Sequence, residues 1–346
     1  MSGSGNAHLR GENALLTVED LVVEYTTAAG TVQAVAGVSF DVMPGETLGI
    51  VGESGCGKSS TGRAVLRLDH GATGRITFGG ERVDQVSEKR MRELRRDMQM
   101  IFQDPVASLN PRRSVKHIVA EGLVAAGRPA REQAEVAAST LERVGLGDER
   151  FTDVLPRQLS GGQAQRVAIA RALAVGPRLL LCDEPVSALD VSVQAQILNL
   201  IEDLKAEYDL TVVFIAHDLS VVRSVSDVVM VMYLGTVCEF GDALEVYDHP
   251  AHPYTRALLN SVPTTDPENP FEGPALEGDV PSPLDPPSGC RFSTRCPRVQ
   301  EVCRGESPLM REVRPGQYAA CHFPLVDGEP AESAVPDHRA GIRKSE

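Results

Sequence analysis

The sequence predicts an α/β domain built on a mainly parallel sheet, carrying a helical insertion and a small irregular extension. Three observations point there. Short, almost wholly apolar runs at Thr47–Val51, Leu179–Cys182 and Val212–Ala216 have the length of strands buried on both faces. They alternate with segments of helical spacing, as parallel βαβ units require. Residues 112–175 differ: they are rich in Ala, Glu and Arg, place apolar residues at helical intervals and carry no strand signal.

Along the chain, residues 1–13 are polar and Gly/Ser-rich, and a disordered leader is expected there. Leu15–Tyr25 and Val32–Val42 are Val-rich with apolar/polar alternation, which predicts strands. Thr47–Val51 is a strand that runs into a Gly-rich turn and then a helix from about Ser59 to Leu68. Arg75–Phe78 and Met98–Phe102 carry further strand signals. In the insertion, Val115, Ile118, Val119 and Leu123, then Ala134, Ala137, Leu141 and Val144, mark the apolar faces of helices. A helix from about Val193 to Tyr208 connects the two later strands. Prolines crowd the chain from Val262 to Gly289 and predict a linker. The resulting boundaries are a leader over 1–13, a main domain over 14–260 with a helical subdomain over about 112–175, an extension over 261–325 and a flexible tail over 326–346.

Composition narrows the function. Of 346 residues 42% are hydrophobic but only 4% aromatic, with no Trp, so the core must be aliphatic. Lys and Arg number 34 against 48 Asp and Glu, a net charge of −14, which argues against nucleic acid as a partner. No apolar run approaches the roughly 20 residues that a transmembrane helix needs, and the first residues lack the apolar stretch of a secretory signal. A soluble chain is expected, with any membrane role exercised through partners. Three of seven cysteines are scattered (Cys56, Cys182, Cys238) and four gather near the C-terminus, a distribution that reads as a reducing compartment.

Gly52-Glu-Ser-Gly-Cys-Gly-Lys58-Ser59 fits the G-x-x-x-x-G-K-[ST] pattern of a phosphate-binding loop, with a strand before it and a helix after it. Glycines let backbone N–H groups turn towards phosphate oxygens, and the helix N-terminus adds its positive end. Gly52, Glu53, Ser54, Gly55, Cys56 and Gly57, with Lys58, Ser59 and Ser60, are the candidate nucleotide contacts. Lys58 is placed for the β- and γ-phosphates, and the Ser59 hydroxyl for Mg²⁺. A bulky adduct on Cys56 is expected to crowd the nucleotide, the alternative being a thiol that points into the protein and is inert. Leu179-Leu-Leu-Cys-Asp183-Glu184 is an apolar strand ending in two acids; Asp183 suits a Mg²⁺ contact and Glu184 can polarise a water.

Leu159-Ser160-Gly161-Gly162-Gln163, Gln103 ahead of it, Ser187-Ala-Leu-Asp190 and His217 complete a set that resembles the ATP-binding cassette (ABC) family over about residues 15–260. The resemblance implies a P-loop NTPase fold, a RecA-like core with an antiparallel β subdomain and an inserted helical subdomain. It implies ATP hydrolysis by a head-to-tail dimer, with each ATP between one phosphate loop and the facing Ser160, Gly161, Gly162 and Gln163. Glu184 would be the general base, His217 would hold the γ-phosphate and attacking water, and Gln103 would join the Mg²⁺ shell and sense a membrane partner. Tyr25 sits where the family stacks an aromatic on adenine, and Asp190 lies in the D-loop.

Met98–Arg112, Asp183–Gln196 and His252–Pro263 resemble more narrowly the ATPases of oligopeptide/dipeptide importers, and the F-type rather than the D-type subunit. Implied partners are a second, different ATPase subunit, two transmembrane permease subunits and an extracytoplasmic solute-binding protein, at the inner face of the cell membrane. Nickel, opine or oligosaccharide remain alternative substrates, because substrate choice lies in the partners. A DNA-repair ATPase fits less well, since no coiled-coil or zinc module interrupts the interval from Lys58 to Ser160. Cys290, Cys296, Cys303 and Cys321 are separated by five, six and seventeen residues. Four thiolates can ligate a metal if they converge. The family's similar tail implies a [4Fe–4S] cluster, with zinc or free thiols as the alternatives.

Overall fold

The computed structural model describes residues 5–11, 13–69, 71–261 and 278–326. Twelve strands follow in order: β1 Leu16–Thr27, β2 Gly30–Val42, β3 Thr47–Val51, β4 Ala72–Phe78, β5 Glu81–Arg82, β6 Met98–Ile101, β7 Leu179–Asp183, β8 Thr211–Ile215, β9 Val228–Tyr233, β10 Thr236–Asp242, β11 Arg311–Arg314 and β12 Gln317–Ala319. They form a four-stranded antiparallel sheet, β2-β1-β4-β5, and an eight-stranded sheet, β11-β12-β10-β9-β3-β8-β7-β6. The neighbours β9, β3, β8, β7 and β6 of the larger sheet are parallel. Its other side is antiparallel, through β9–β10, β10–β12 and β11–β12.

Burial explains why the parallel strands were legible. Every residue of β3, β7 and β8 is buried, so each reads as an unbroken apolar run. β1 instead alternates, with Leu16, Val18, Leu21 and Val23 buried and their neighbours wetter, and its register shifts where Asp20 takes a left-handed φ of 51°. The hairpin β9–β10 turns through Leu234 and Gly235, both at positive φ (43° and 79°), the turn that suits strand twist.

The insertion is helical, with helices at Val115–Val119, Glu121–Ala125, Ala130–Arg143 and Gly161–Leu173. Val115, Ile118, Val119, Leu123, Ala137, Leu141 and Val144 are buried in one cluster as their spacing predicts. Ala134 is exposed, one turn before the buried Ala137, so it does not belong to the apolar face. Among the described residues no helix is long and apolar enough to cross a membrane.

Two ends of the chain depart from the sequence reading. The leader is not loose where it is described: His8 is buried with Nε2 2.7 Å from the Ser39 carbonyl oxygen, and the Arg10 guanidinium pairs with Asp41 and Glu46. The extension is not merely irregular, because β12 adds to the open edge of β10 and β11 follows it. Glu239 on β10 clasps this joint. Its carboxylate accepts from the backbone N–H groups of Ala251 (2.7 Å) and His252 (2.8 Å) and from the Gln317 side chain (2.8 Å). Of the proline-rich linker predicted over 262–289, residues 262–277 lie outside the described residues, as do 327–346 of the tail predicted over 326–346.

Candidate functional site

β3, β8, β7 and β6 lie side by side and parallel, so the loops leaving their C-terminal ends meet at one edge of the sheet. These loops carry the residues that the sequence singled out. After β3 the chain turns through Gly52 (φ 153°), Gly55 (φ 77°) and Gly57 (φ 103°). A Cβ on Gly52 would stand 2.1 Å from the Met232 carbonyl oxygen, and one on Gly57 2.2 Å from that of Ala34. Only glycine can make this cradle. Lys58 opens the helix Lys58–Val65 and curls back, its Nζ donating to the carbonyls of Gly52 (2.8 Å) and Glu53 (3.0 Å). A buried ammonium held by two carbonyl oxygens fits an incoming phosphate, which supplies the counter-charge.

Ser59 Oγ donates to Asp183 Oδ1 at 2.6 Å. Asp183 is 1% exposed and its Oδ2 has no hydrogen-bond partner among the described residues. Burial pushes its carboxyl above the usual range, against the lowering effects of the Ser59 hydrogen bond, Arg63 and Lys58. A hydroxyl and a carboxylate with a free oxygen are hard donors, so the pair fits Mg²⁺.

Glu184 departs from strand geometry. It takes a left-handed φ of 46° while its N–H donates to the Ile215 carbonyl (2.9 Å), so the backbone is turned yet anchored. The carboxylate then meets both remaining predicted groups. Gln103 Nε2 donates to Glu184 Oε2 at 3.1 Å, and His217 Nδ1 lies 3.4 Å from the same oxygen. Gln103 follows β6 and His217 follows β8, so three loops deliver one acid–amide–imidazole group.

The other candidates distribute themselves around this centre. The Tyr25 hydroxyl lies 3.2 Å from Ser60 Oγ and donates to Asp69 Oδ2 at 2.8 Å, which sets the ring beside the helix that follows the phosphate loop. Ser54 and Gly55 are exposed at the loop tip. Cys56 is buried beneath the loop, its Sγ 3.9 Å from Lys58 Nζ, and burial pushes its thiol up. This favours the inert alternative over the crowding adduct: the thiol is 4% exposed and burial disfavours its thiolate, both of which slow modification.

Ser160 caps the helix Gly161–Leu173: its Oγ accepts from the Gln163 N–H (3.3 Å), and Gln163 Oε1 accepts from the Ser160 N–H (2.9 Å). Gly161 and Gly162 pack against Leu189 and Val193, where an added Cβ would lie 3.3 and 2.7 Å away. Asp190 caps the next helix, Val191–Tyr208, accepting from the Val193 N–H at 3.1 Å. That hydrogen bond, with one from Ser192, holds the Asp190 carboxyl below its usual range. Among the described residues no hydrogen bond or ion pair joins Ser160–Gln163 to the phosphate loop of the same chain.

The four clustered cysteines line a single cavity with His252, Phe292 and His322. Cys303 is buried and the other three are half-buried. Convergence holds to that extent only: among the described residues no three His, Cys, Asp or Glu side chains are gathered as a metal-ligand group. Two residues beside the phosphate loop escaped the sequence reading. Tyr254 Oη accepts from the Glu53 N–H at 2.9 Å, and Arg295 pairs with the Glu53 carboxylate at 2.7 Å. Tyr254 lies within His252–Pro263, a segment noted only for its resemblance, and no spacing rule marks Arg295.

Comparison with known proteins agrees with the fold. A family model described as "ABC transporter" matches residues 35–187, and one described as "Oligopeptide/dipeptide transporter, C-terminal region" matches residues 238–303. The oligopeptide transport ATP-binding protein AppF of Bacillus subtilis is 50% identical over 298 residues, covering 85% of this chain and 90% of that protein. The oligopeptide transport ATP-binding protein OppF of Haemophilus influenzae is 47% identical over 295 residues, 84% of this chain and 89% of its own length. Among solved structures, the dimeric post-hydrolysis state of the ATP-binding cassette MJ0796 bound to ADP and Pi superposes with a TM-score of 0.61 at 30% identity, covering 66% of this chain and 98% of that one. Cassette and C-terminal region agree, and the chain belongs to the ABC transporter ATPases of the oligopeptide/dipeptide transporter type.

Proposed function

We propose that this ATPase powers the uptake of peptides through a membrane permease. The observation that carries the reading is the segment 238–303, matched as the oligopeptide/dipeptide transporter C-terminal region: it starts within β10 of the core sheet, in the same chain as the Gln103–Glu184–His217 group. In this reading Lys58 and the glycine cradle hold the triphosphate, and Glu184 takes the proton of the attacking water. His217 and Gln103 orient that carboxylate and water, and His217 also meets the γ-phosphate. When bound, Mg²⁺ neutralises charge on the phosphate oxygens, with Ser59, Asp183 and Gln103 as its ligands. Tyr25 supports the adenine. Ser160–Gln163, which among the described residues makes no hydrogen bond to the chain's own phosphate loop, closes the ATP site of a second ATPase subunit, and Asp190 lies at that contact.

The assembly would comprise a different second ATPase subunit of the same family, with this chain as the F-type member, two permeases and an extracytoplasmic binding protein. It would place the chain at the inner face of the cell membrane. The test is uptake into proteoliposomes carrying the co-purified assembly. ATP-dependent accumulation of a labelled oligopeptide is expected; accumulation of nickel or an oligosaccharide without peptide would replace the substrate while leaving the ATPase intact.

Four thiols line the cysteine cavity, which supports a soft metal centre that would form once they draw together as ligands. Cys290, Cys296, Cys303 and Cys321 would hold a [4Fe–4S] cluster, whose contribution when bound is to cross-link the extension. Anaerobically purified protein is then expected to be brown, with iron and sulfide near four each per chain by the cluster's formula. One zinc per colourless chain would replace the cluster, and metal-free protein would remove the metal altogether.

A further inference from the structure

The phosphate loop is gripped from outside by the cysteine-bearing extension. Glu53 stands at the first bend of the loop, directly after Gly52. Its N–H donates to Tyr254 Oη, and its carboxylate takes both prongs of Arg295, with Nη1–Oε2 at 2.7 Å and Nη2–Oε1 at 3.2 Å. The Glu53 carbonyl oxygen accepts from Lys58 Nζ at 3.0 Å. One residue therefore links Arg295 to the lysine that meets the phosphates, although Arg295 lies 242 positions further along the chain.

Arg295 is itself immobilised. Its side chain is 5% exposed against 24% for Glu53, and its Nη1 lies 3.3 Å from Tyr233 Oη. Tyr233 packs on Tyr254 and Phe292 with ring centres 4.7 and 5.3 Å apart, and Tyr254 and Phe292 are 5.4 Å apart. A planar guanidinium on such a platform offers a fixed fork to a carboxylate. Two consequences follow for the ATP site. The first bend of the loop is held in its cradle geometry, and the negative charge of Glu53 is cancelled where a triphosphate must bind.

We propose that Arg295 is a positioning residue for ATP binding, acting through Glu53 on the phosphate loop. Charge cancellation separates this role from simple bracing of the extension. In the full-length chain, Arg295→Gln is expected to weaken binding of a fluorescent ATP analogue about tenfold, because one carboxylate charge is left uncancelled beside the triphosphate. KM for ATP should rise in step, with kcat within about twofold. Glu53→Gln/Arg295→Gln removes both charges and should recover most of the affinity, a coupling that a brace alone would not produce. Arg295→Lys, which keeps the charge but not the fork, should fall between. A double variant no better than Arg295→Gln, with both folded by thermal melting, overturns the proposal. Should Arg295→Gln fail to fold, Arg295→Lys decides: weakened binding with a native melt supports the assignment, and unchanged binding defeats it.

Discussion

Glu184→Gln is expected to lower steady-state ATP hydrolysis at least about a hundredfold while leaving ATP bound, because a positioned base contributes 10²–10⁴-fold. The amide has the size of the carboxylate and can still face Gln103 and His217, which now lie 3.1 and 3.4 Å from Glu184 Oε2. What it loses is the ability to take a proton from water. Lys58→Ala should fail differently, by losing nucleotide affinity, since the loop then presents carbonyl oxygens to the phosphates without the ammonium that now covers them. Turnover and nucleotide retention measured on both variants separate the two roles. Wild-type turnover in Glu184→Gln would remove that residue as the base.

Glu239→Ala is expected to destabilise the chain by about 3–5 kcal/mol, because it leaves several buried donors unsatisfied at about 1–3 kcal/mol each. Glu239 is fully buried, and its loss leaves the N–H groups of Ala251 and His252 without their acceptor and the Gln317 amide with only the His249 carbonyl of its two. A lower melting temperature should be joined by new protease cleavage within 278–326, since this residue ties β10 to the extension. An unchanged melt and cleavage pattern would show that the strand pairing suffices. Glu239→Gln keeps the shape and one acceptor and should cost less. Burial also pushes the Glu239 carboxyl above its ordinary value of 4.5 despite those hydrogen bonds. The folded chain therefore holds that proton more tightly than the unfolded one. This contribution is complete below pH 4.5 and is lost as pH rises through the raised folded value. Glu239→Gln should flatten stability across that window.

The sequence by itself determined the parts whose physics is local. β3, β7 and β8 are buried on both faces, so their burial is written as uninterrupted apolar runs. The phosphate loop needs its glycines, lysine and serine within eight consecutive positions, and the helices of the insertion mark their buried faces every third or fourth residue. Tertiary structure decided whatever depends on partners far apart in the chain. The left-handed Glu184 is anchored by Ile215 on the next strand, and the grip of Arg295 on Glu53 spans 242 positions. The strands β11 and β12, four and three residues long, are too short to show a period; they exist because β10 leaves an edge open. His8 reads as part of a polar leader, yet it is buried because the Ser39 carbonyl and the ring of Phe240 receive it. Such pairings follow from which edges and pockets the folded core leaves free, and that property belongs to the surface the whole chain makes, not to any stretch of it.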